Sequence, residues 1–170
     1  MLTLNRKLAA LCLSLAIALP SAPQIAAADP ARGPETVTKA RYGGADSLAC
    51  LAEALYFEAR GEGRNGQRAV AEVILNRVDS GAFPNSVCGV VHQRGQFTYN
   101  KGRRMSNAAA AARSRQIAAD AIAGAPRALT DGATYFHTTA VRPSWSKRFT
   151  RTARIGSHIF YRQGRRVASN

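Results

Sequence analysis

The chain has 170 residues, with 24 Lys and Arg against 10 Asp and Glu, which gives a formal net charge of +14. That length supports one domain and leaves little room for a second domain with its own core. A hydrophobic fraction of 46% and a charged fraction of 20% exclude a disordered chain. No apolar heptad pattern persists over several turns, which argues against a long coiled coil.

The N-terminus has the features of a secretory signal peptide. Residues 5–7 are a short basic start, and Leu8–Leu19 is an apolar run interrupted by one serine. Ala26–Ala28 then gives an A-x-A cleavage pattern before Asp29. The apolar run is shorter than the roughly 20 residues that span a bilayer, although a retained anchor is the alternative. We therefore expect residues 1–28 to be removed and the protein to be periplasmic or associated with the cell wall.

The charge of the mature chain predicts a polyanionic partner. Cleavage removes two of the 24 basic residues and no acidic one, which leaves a net charge of +12. In the cytosol such a charge would indicate nucleic acid. Outside the cytoplasm the available polyanions are peptidoglycan with its peptide carboxylates, anionic lipid and polysaccharide, so nucleic acid is not expected as a partner.

Two cysteines, Cys50 and Cys88, remain after cleavage. An even pair in an exported chain predicts a disulfide, with two buried free thiols as the alternative. A bridge between them would also exclude a cysteine nucleophile.

Taken in chain order, the pattern predicts a linker, four helices and two strands. Residues 29–45 contain prolines and paired glycines with little apolar periodicity, which is typical of a linker. Apolar residues at helical spacing, between capping and breaking residues, then predict helices. The predicted helices span residues 46–59, 66–78, 86–92 and 107–123, and Asn65 is the expected cap of the second.

The helical spacing of apolar residues ends at about residue 132. Residues 133–138 and 155–162 are short, aromatic-rich segments that predict strands, and 164–170 is a loose tail. The expected fold class is therefore α+β, with a mainly helical body and a small C-terminal β element. The whole of residues 46–163 is expected to form one domain.

The chain has only 10 Asp and Glu residues, which limits the candidates for a catalytic acid or base. At 100° per residue, Glu58 lies within about 20° of Leu51 and therefore at the edge of the apolar face. Glu53 points to the far side, towards solvent. A carboxyl group against apolar neighbours has a raised pKa, as a general acid near neutral pH requires. The alternative is that Glu58 and Glu62 are solvated partners of nearby arginines, an ordinary charged helix end.

Two blocks around these carboxylates are recognisable. Residues 54–63 (ALYFEARGEG) and 66–78 (GQRAVAEVILNRV) resemble the SleB/CwlJ-type cell-wall hydrolases, and the similarity continues through 83–91 and 95–98. It covers about residues 46–163. The resemblance implies a lysozyme-like fold of the lytic-transglycosylase type, acting on peptidoglycan glycan strands at the MurNAc-GlcNAc bond, with Glu58 as the catalytic residue. It implies no cofactor and no metal, and it leaves open whether an activator protein is needed.

The sequence departs from the spore-germination members of that family. No separate peptidoglycan-binding repeat is recognisable before residue 46, and residues 152–161 look more like Gram-negative relatives. A role in spores is therefore not expected, whereas cell-wall chemistry is.

Further side chains are candidates for contact with the sugar. Amide, hydroxyl and carboxylate groups would bind N-acetyl or hydroxyl groups or tune Glu58, and aromatic rings would stack on sugar rings. Packing inside the protein is the alternative for each of them. These candidate substrate-binding residues are Glu62, Gln67, Gln96, Phe97, Thr98, Tyr135 and Trp145.

Two other functions compete with this one. A zinc amidase would cut the link between sugar and peptide, but its ligands would have to come from His92, His137 and His158, and no His-Glu-x-x-His motif occurs. The second alternative is a non-catalytic, basic peptidoglycan-binding module, which predicts salt-sensitive binding and no product.

Overall fold

The computed structural model describes residues 42–164, so the predicted signal peptide, most of the predicted linker and most of the tail lie outside the described residues. The elements are α1 (Ala45–Ala59), α2 (Gly63–Asp79), α3 (Val87–His92), α4 (Ala108–Ile122), β1 (Tyr135–Thr138), a 3₁₀ helix (Ser144–Lys147), β2 (Thr150–Ile155) and β3 (His158–Arg162). The fold is thus mainly helical with a small antiparallel sheet, which confirms the predicted fold class. No helix between residues 42 and 164 is long and apolar enough to cross a membrane.

Short polar side chains begin two of the helices where the sequence predicts. The Ser86 hydroxyl accepts a hydrogen bond from the Gly89 N–H at 3.1 Å, and Asn107 Oδ1 accepts one from the Ala110 N–H at 2.9 Å. Helix α2 differs from its prediction, because it begins at Gly63 and not after Asn65. Gly63 has a φ of 70°, so the chain turns sharply there, directly after Glu62.

The sheet has the strand order β1-β3-β2, with both pairings antiparallel. The predicted strand 155–162 is divided, because a turn at Gly156 and Ser157 separates β2 from β3. The sequence analysis missed most of β2 (TRTARI), which contains two arginines and two threonines and no aromatic residue. One face of the sheet packs Phe160 against Ala69 and Val73 of α2.

The main core lies among α1, α2, α3 and α4, and the predicted disulfide joins two of them. Cys50 of α1 and Cys88 of α3 are bonded, with 5.3 Å between their Cα atoms. Closing a loop of 38 residues restricts the unfolded chain and contributes about 4 kcal/mol in the chain-entropy description. Tyr42 is also part of this core and donates a hydrogen bond to Asp79, so the folded part begins before the predicted boundary at residue 46.

Candidate active site

Glu58 lies in the last turn of α1, half-buried at the edge of the apolar face. Its carboxylate has no hydrogen bond and no ion pair with any of residues 42–164. Burial raises its pKa, and the nearby positive charge of Lys101 lowers it in part, with a net rise. Glu58 therefore holds its proton at a higher pH than an ordinary glutamate does.

The segment between α3 and α4 lies beside Glu58 and is attached to α1. Tyr99 stacks on Phe57 with 4.8 Å between ring centroids, and Lys101 Nζ lies 3.8 Å from the Tyr99 ring centroid. Glu53 Oε1 accepts a hydrogen bond of 2.6 Å from the Gly102 N–H, so Glu53 is committed to this segment and does not point freely into solvent. Burial, followed by the charges of Glu53 and Glu58, raises the pKa of Tyr99, which keeps its hydroxyl neutral.

Glu62 has the opposite environment, although it is only four residues away. It accepts hydrogen bonds from the backbone N–H of Ser157, at 2.8 Å, and from the Ser157 hydroxyl. Burial raises its pKa, but the two hydrogen bonds from Ser157 outweigh burial, so the pKa is lowered overall. Glu62 is therefore an ionised carboxylate that attaches the β2–β3 turn to the start of α2.

The arginine alternative for these two glutamates does not fit their contacts. Arg60 Nη1 donates a hydrogen bond of 2.9 Å to the Tyr56 hydroxyl. Among residues 42–164, the ion pairs are Arg127 with Asp79, Arg162 with Asp131, and a 4.0 Å approach of His158 to Glu62. Burial lowers the pKa of His158, which favours the neutral imidazole and makes that approach a weak contact.

Arg77 of α2 connects the loop beside Glu58 to the sheet. Its guanidinium group lies over three aromatic rings, with centroid distances of 5.2 Å to Phe83, 5.8 Å to Tyr135 and 6.0 Å to Phe97. Nε donates a 2.6 Å hydrogen bond to the Thr134 carbonyl oxygen, while Nη1 is buried without a partner among the described residues. Burial lowers the pKa of Arg77 to about 10, so it remains a cation at neutral pH.

The aromatic candidates Tyr135 and Trp145 belong to one aromatic cluster at the sheet, and the Arg77 guanidinium lies over the Tyr135 ring. Their ring centroids are 5.5 Å apart, and both are half-buried. Trp145 also lies 5.4 Å from Tyr161, whose hydroxyl is 3.0 Å from His137 Nε2. The Arg77 guanidinium also lies over Phe97, but Phe97 is buried in the main core, so the structure places it inside the protein and not on a surface.

The remaining candidates differ in exposure. Gln67 is fully buried and donates a 3.0 Å hydrogen bond to Ser114 of α4, so the structure places it inside the helix packing and not on a surface. Gln96 is half-buried and Thr98 is exposed, both on the segment that flanks Glu58. His92 ends α3 and lies 3.9 Å from the Cys50 sulfur, whereas His137 and His158 belong to the sheet. Residues 42–164 contain no group of three potential metal ligands.

Three residues of this region were missed by the sequence analysis. Tyr99 and Lys101 lie in a polar loop, and Arg77 ends a helix pattern, where an arginine is ordinarily solvated. The alternation of Phe97, Tyr99 and Lys101 is the signal that could have indicated a one-sided surface.

Comparison with known proteins identifies the family of this chain. Residues 61–161 match the family described as Cell Wall Hydrolase. The chain is 37% identical over 118 residues to the spore cortex-lytic enzyme of Bacillus subtilis, covering 68% of this chain and 37% of that protein. It is also 37% identical over 129 residues to the spore cortex-lytic enzyme of Halalkalibacterium halodurans, covering 74% of this chain and 38% of that protein. The chain thus spans little more than a third of the length of these relatives.

Two solved structures are similar in fold. The catalytic domain of the Bacillus cereus SleB protein aligns with a TM-score of 0.53 and 32% identity, covering 68% of this chain and 88% of that one. The catalytic domain of a germination-specific lytic transglycosylase, SleB from Bacillus anthracis, aligns with a TM-score of 0.57 and 32% identity, covering 70% of this chain and 96% of that one. The chain therefore belongs to the cell wall hydrolase family of the SleB type, as its sequence motifs predict.

Proposed function

We propose that this protein cleaves the β-1,4 glycosidic bond between MurNAc and GlcNAc in peptidoglycan, as a lytic transglycosylase with Glu58 as its single acid and base. The observation that carries the proposal is the contrast between two glutamates of one motif. Glu58 is half-buried without a hydrogen-bond partner in residues 42–164 and has a raised pKa, whereas Glu62 is hydrogen-bonded and has a lowered one. A general acid near neutral pH requires the first environment. The family match begins three residues after Glu58 and does not include it. The role proposed for Glu58 therefore rests on its environment and on the sequence motif around it.

The proposed mechanism begins with proton transfer from Glu58 to the glycosidic oxygen. As the bond breaks, the N-acetyl group of muramic acid stabilises the developing positive charge at the anomeric carbon. The Glu58 carboxylate then takes the proton from the 6-hydroxyl of the same sugar, whose oxygen closes onto the anomeric carbon as a 1,6-anhydro ring. Lys101 would stabilise the carboxylate that exists between the two proton transfers, because its charge acts on Glu58.

The carboxylates near Glu58 in the sequence favour this mechanism over hydrolysis with two carboxylates. Most glycosidases need a second carboxylate as a nucleophile or base. Glu53 accepts a hydrogen bond from Gly102, and Glu62 accepts two from Ser157, so each already has a structural partner. A substrate that supplies its own nucleophile removes the need for a second carboxylate. The printed description of the Bacillus anthracis relative as a lytic transglycosylase supports the same choice.

In this proposal the substrate contacts the segment beside Glu58 and the half-buried rings of Tyr135 and Trp145. Gln96 and Thr98 bind polar groups of the sugar, Tyr135 and Trp145 contact its rings, and the buried Phe97 supports the loop from inside the core. Glu62 does not contact the substrate in this proposal, and it holds the β2–β3 turn in place through its hydrogen bonds with Ser157. Gln67 would act only through the packing of α2 on α4, because it is buried.

We also propose that the protein acts outside the cytoplasm, in the periplasm or at the cell wall. The Cys50–Cys88 disulfide supports this location, because such bonds persist in oxidising compartments. The signal peptide expected at residues 1–28 would direct the export.

Mass spectrometry of soluble fragments released from purified peptidoglycan tests the function. The wild type should release fragments that end in 1,6-anhydro-muramic acid, and Glu58→Gln should release none while keeping its fold and its binding to peptidoglycan. Glu53→Gln is the matched control, since an amide oxygen can still accept the Gly102 hydrogen bond, and it should keep most of the activity. Reducing-end muramic acid would contradict transglycosylation and indicate hydrolysis by water. Free peptides would indicate an amidase, and no fragments from the wild type would favour a binding module or a missing activator.

A further inference from the structure

A cavity of about 360 Å³ opens between the first half of α2 and the C-terminal part of α4, and Glu58 is not among its lining residues. Arg64 and Arg68 line it from α2, one helical turn apart, and Asp120 lines it from α4. Its volume is at the lower end of the range of small-molecule sites, about 300–1,000 Å³.

The two α2 arginines have no carboxylate partner within residues 42–164. Glu62, the acidic residue closest to Arg64 in the sequence, is bound to Ser157. The other charged groups that line the cavity are already engaged. Glu72 accepts hydrogen bonds from Leu129 and Thr130, and Arg127 forms an ion pair of 2.8 Å with Asp79.

Asp120 lines the same cavity from the other helix. It is exposed, and its Oδ1 accepts a hydrogen bond of 2.8 Å from Gln116 on the same helix. A carboxylate that accepts one hydrogen bond retains further acceptor positions for an ammonium group. The cavity therefore presents two guanidinium groups and one carboxylate to the same small volume.

We propose that this cavity binds the peptide stem of peptidoglycan, a further subsite that rests on the proposed function. Guanidinium groups bind carboxylates through paired, charge-assisted hydrogen bonds, so Arg64 and Arg68 hold the carboxylates of the stem. Asp120 holds the free amine of a diamino acid in that stem. The ligand is a short peptide that carries carboxylates and an ammonium group, which distinguishes it from a neutral glycan strand.

The distance between Glu58 and the cavity is compatible with one substrate that occupies both the proposed catalytic site and the cavity. Arg64 follows Glu58 by six residues, so their Cα atoms are at most about 22 Å apart. An extended stem of four residues spans about 14 Å before its side chains and the arginine side chain are counted. The length of such a stem, together with an arginine side chain, is therefore comparable with this upper limit.

The kinetic test compares intact peptidoglycan with the same material after an amidase has removed its stems. We expect Arg64→Gln/Arg68→Gln to raise KM about tenfold on intact peptidoglycan, with kcat unchanged, and less than twofold on the stripped glycan. Arg115→Gln/Arg154→Gln is the matched control, because both arginines are exposed, neither lines the cavity and the same two charges are lost. An equal rise of KM on both substrates, or the same rise in the control, would overturn the proposal.

A binding test separates this proposal from the proposed function. Calorimetry with the Glu58→Gln protein and the soluble stem tripeptide of L-alanine, D-glutamate and diaminopimelate measures the subsite without catalysis. Adding Arg64→Gln/Arg68→Gln should weaken binding at least fivefold. Asp120→Asn should weaken binding of the free tripeptide but not of the tripeptide with its side-chain amine acetylated. If the wild type releases no fragments, the proposed function fails, but the affinity for the tripeptide still tests whether the cavity is a binding site. Equal affinities of all variants for the tripeptide would refute the binding site even if the enzyme is active.

Discussion

The turn between β2 and β3 is fixed to the start of α2 through one carboxylate, and a single methyl group should break this attachment. Gly156 has a φ of 58°, a left-handed conformation that non-glycine residues rarely adopt. A Cβ atom at Gly156 would overlap the carboxylate of Glu62, which accepts both hydrogen bonds from Ser157. Gly156→Ala therefore has two separate costs.

The two costs can be estimated from these contacts. The left-handed backbone costs about 1–2 kcal/mol for alanine. Displacing Glu62 removes two hydrogen bonds to a charged group, at about 1.5 kcal/mol each. We expect Gly156→Ala to lower the free energy of unfolding by about 4–5 kcal/mol, measured by urea denaturation at neutral pH. Gly95→Ala is the control, because Gly95 has a φ of 78° but open space around its Cβ position, and it should lose only the backbone part.

A double-mutant cycle with Glu62→Ala isolates the overlap. In that background the carboxylate is absent, so Gly156→Ala should cost only about 1–2 kcal/mol, which is the backbone part alone. The coupling energy is then about 3 kcal/mol, the contribution of the two hydrogen bonds. The same loss in both backgrounds, or an equal loss for Gly95→Ala, would refute the reasoning. Because the pKa of Glu62 lies below its ordinary value of 4.5, the contribution of its charge is present above that pH and is lost as the pH falls through the lowered pKa.

Two further predictions concern Glu58. Lys101→Met should move the alkaline limb of the kcat/KM profile to higher pH, because the charge of Lys101 lowers the pKa of Glu58; Lys147→Met, an exposed lysine in the 3₁₀ helix, should leave the limb in place. Glu58→Gln should raise the thermal midpoint at pH 7, since a raised pKa means that ionisation of Glu58 destabilises the folded state. That gain should disappear below the ordinary pKa of 4.5, where Glu58 is protonated in both states, and an equal midpoint shift at pH 7 and pH 3.5 would contradict the assignment.

The features that the sequence predicted correctly depend on neighbours along the chain. Ser86 and Asn107 begin helices because their side chains bind N–H groups three residues ahead. Glu58 could be placed at the edge of an apolar face, because helical spacing alone fixes its direction relative to Leu51. The Cys50–Cys88 bridge followed from the even number of cysteines left after export, and its helices then bring the two sulfurs together.

The features that the sequence did not predict depend on contacts between distant segments. Glu62 and Ser157 are 95 residues apart, so nothing near Glu62 in the sequence indicates that its carboxylate binds the β2–β3 turn. Gln67 has the residue type of a sugar-binding side chain, but it points into the packing of α2 on α4. Helix α2 begins at Gly63, where a positive φ turns the chain, and not after Asn65 as predicted.

Arg77 illustrates how the loop that carries Phe97 is joined to the sheet. A buried cation without an acidic partner is unfavourable, because desolvation of the charge costs several kcal/mol. Interactions of a desolvated guanidinium with aromatic rings contribute up to about 2 kcal/mol each, and here Phe83, Phe97 and Tyr135 offer three such rings. These favourable contacts require the loop that carries Phe97 and the strand that carries Tyr135 to stay in place together. The loop that carries Phe97 is therefore coupled to the sheet through the buried Arg77.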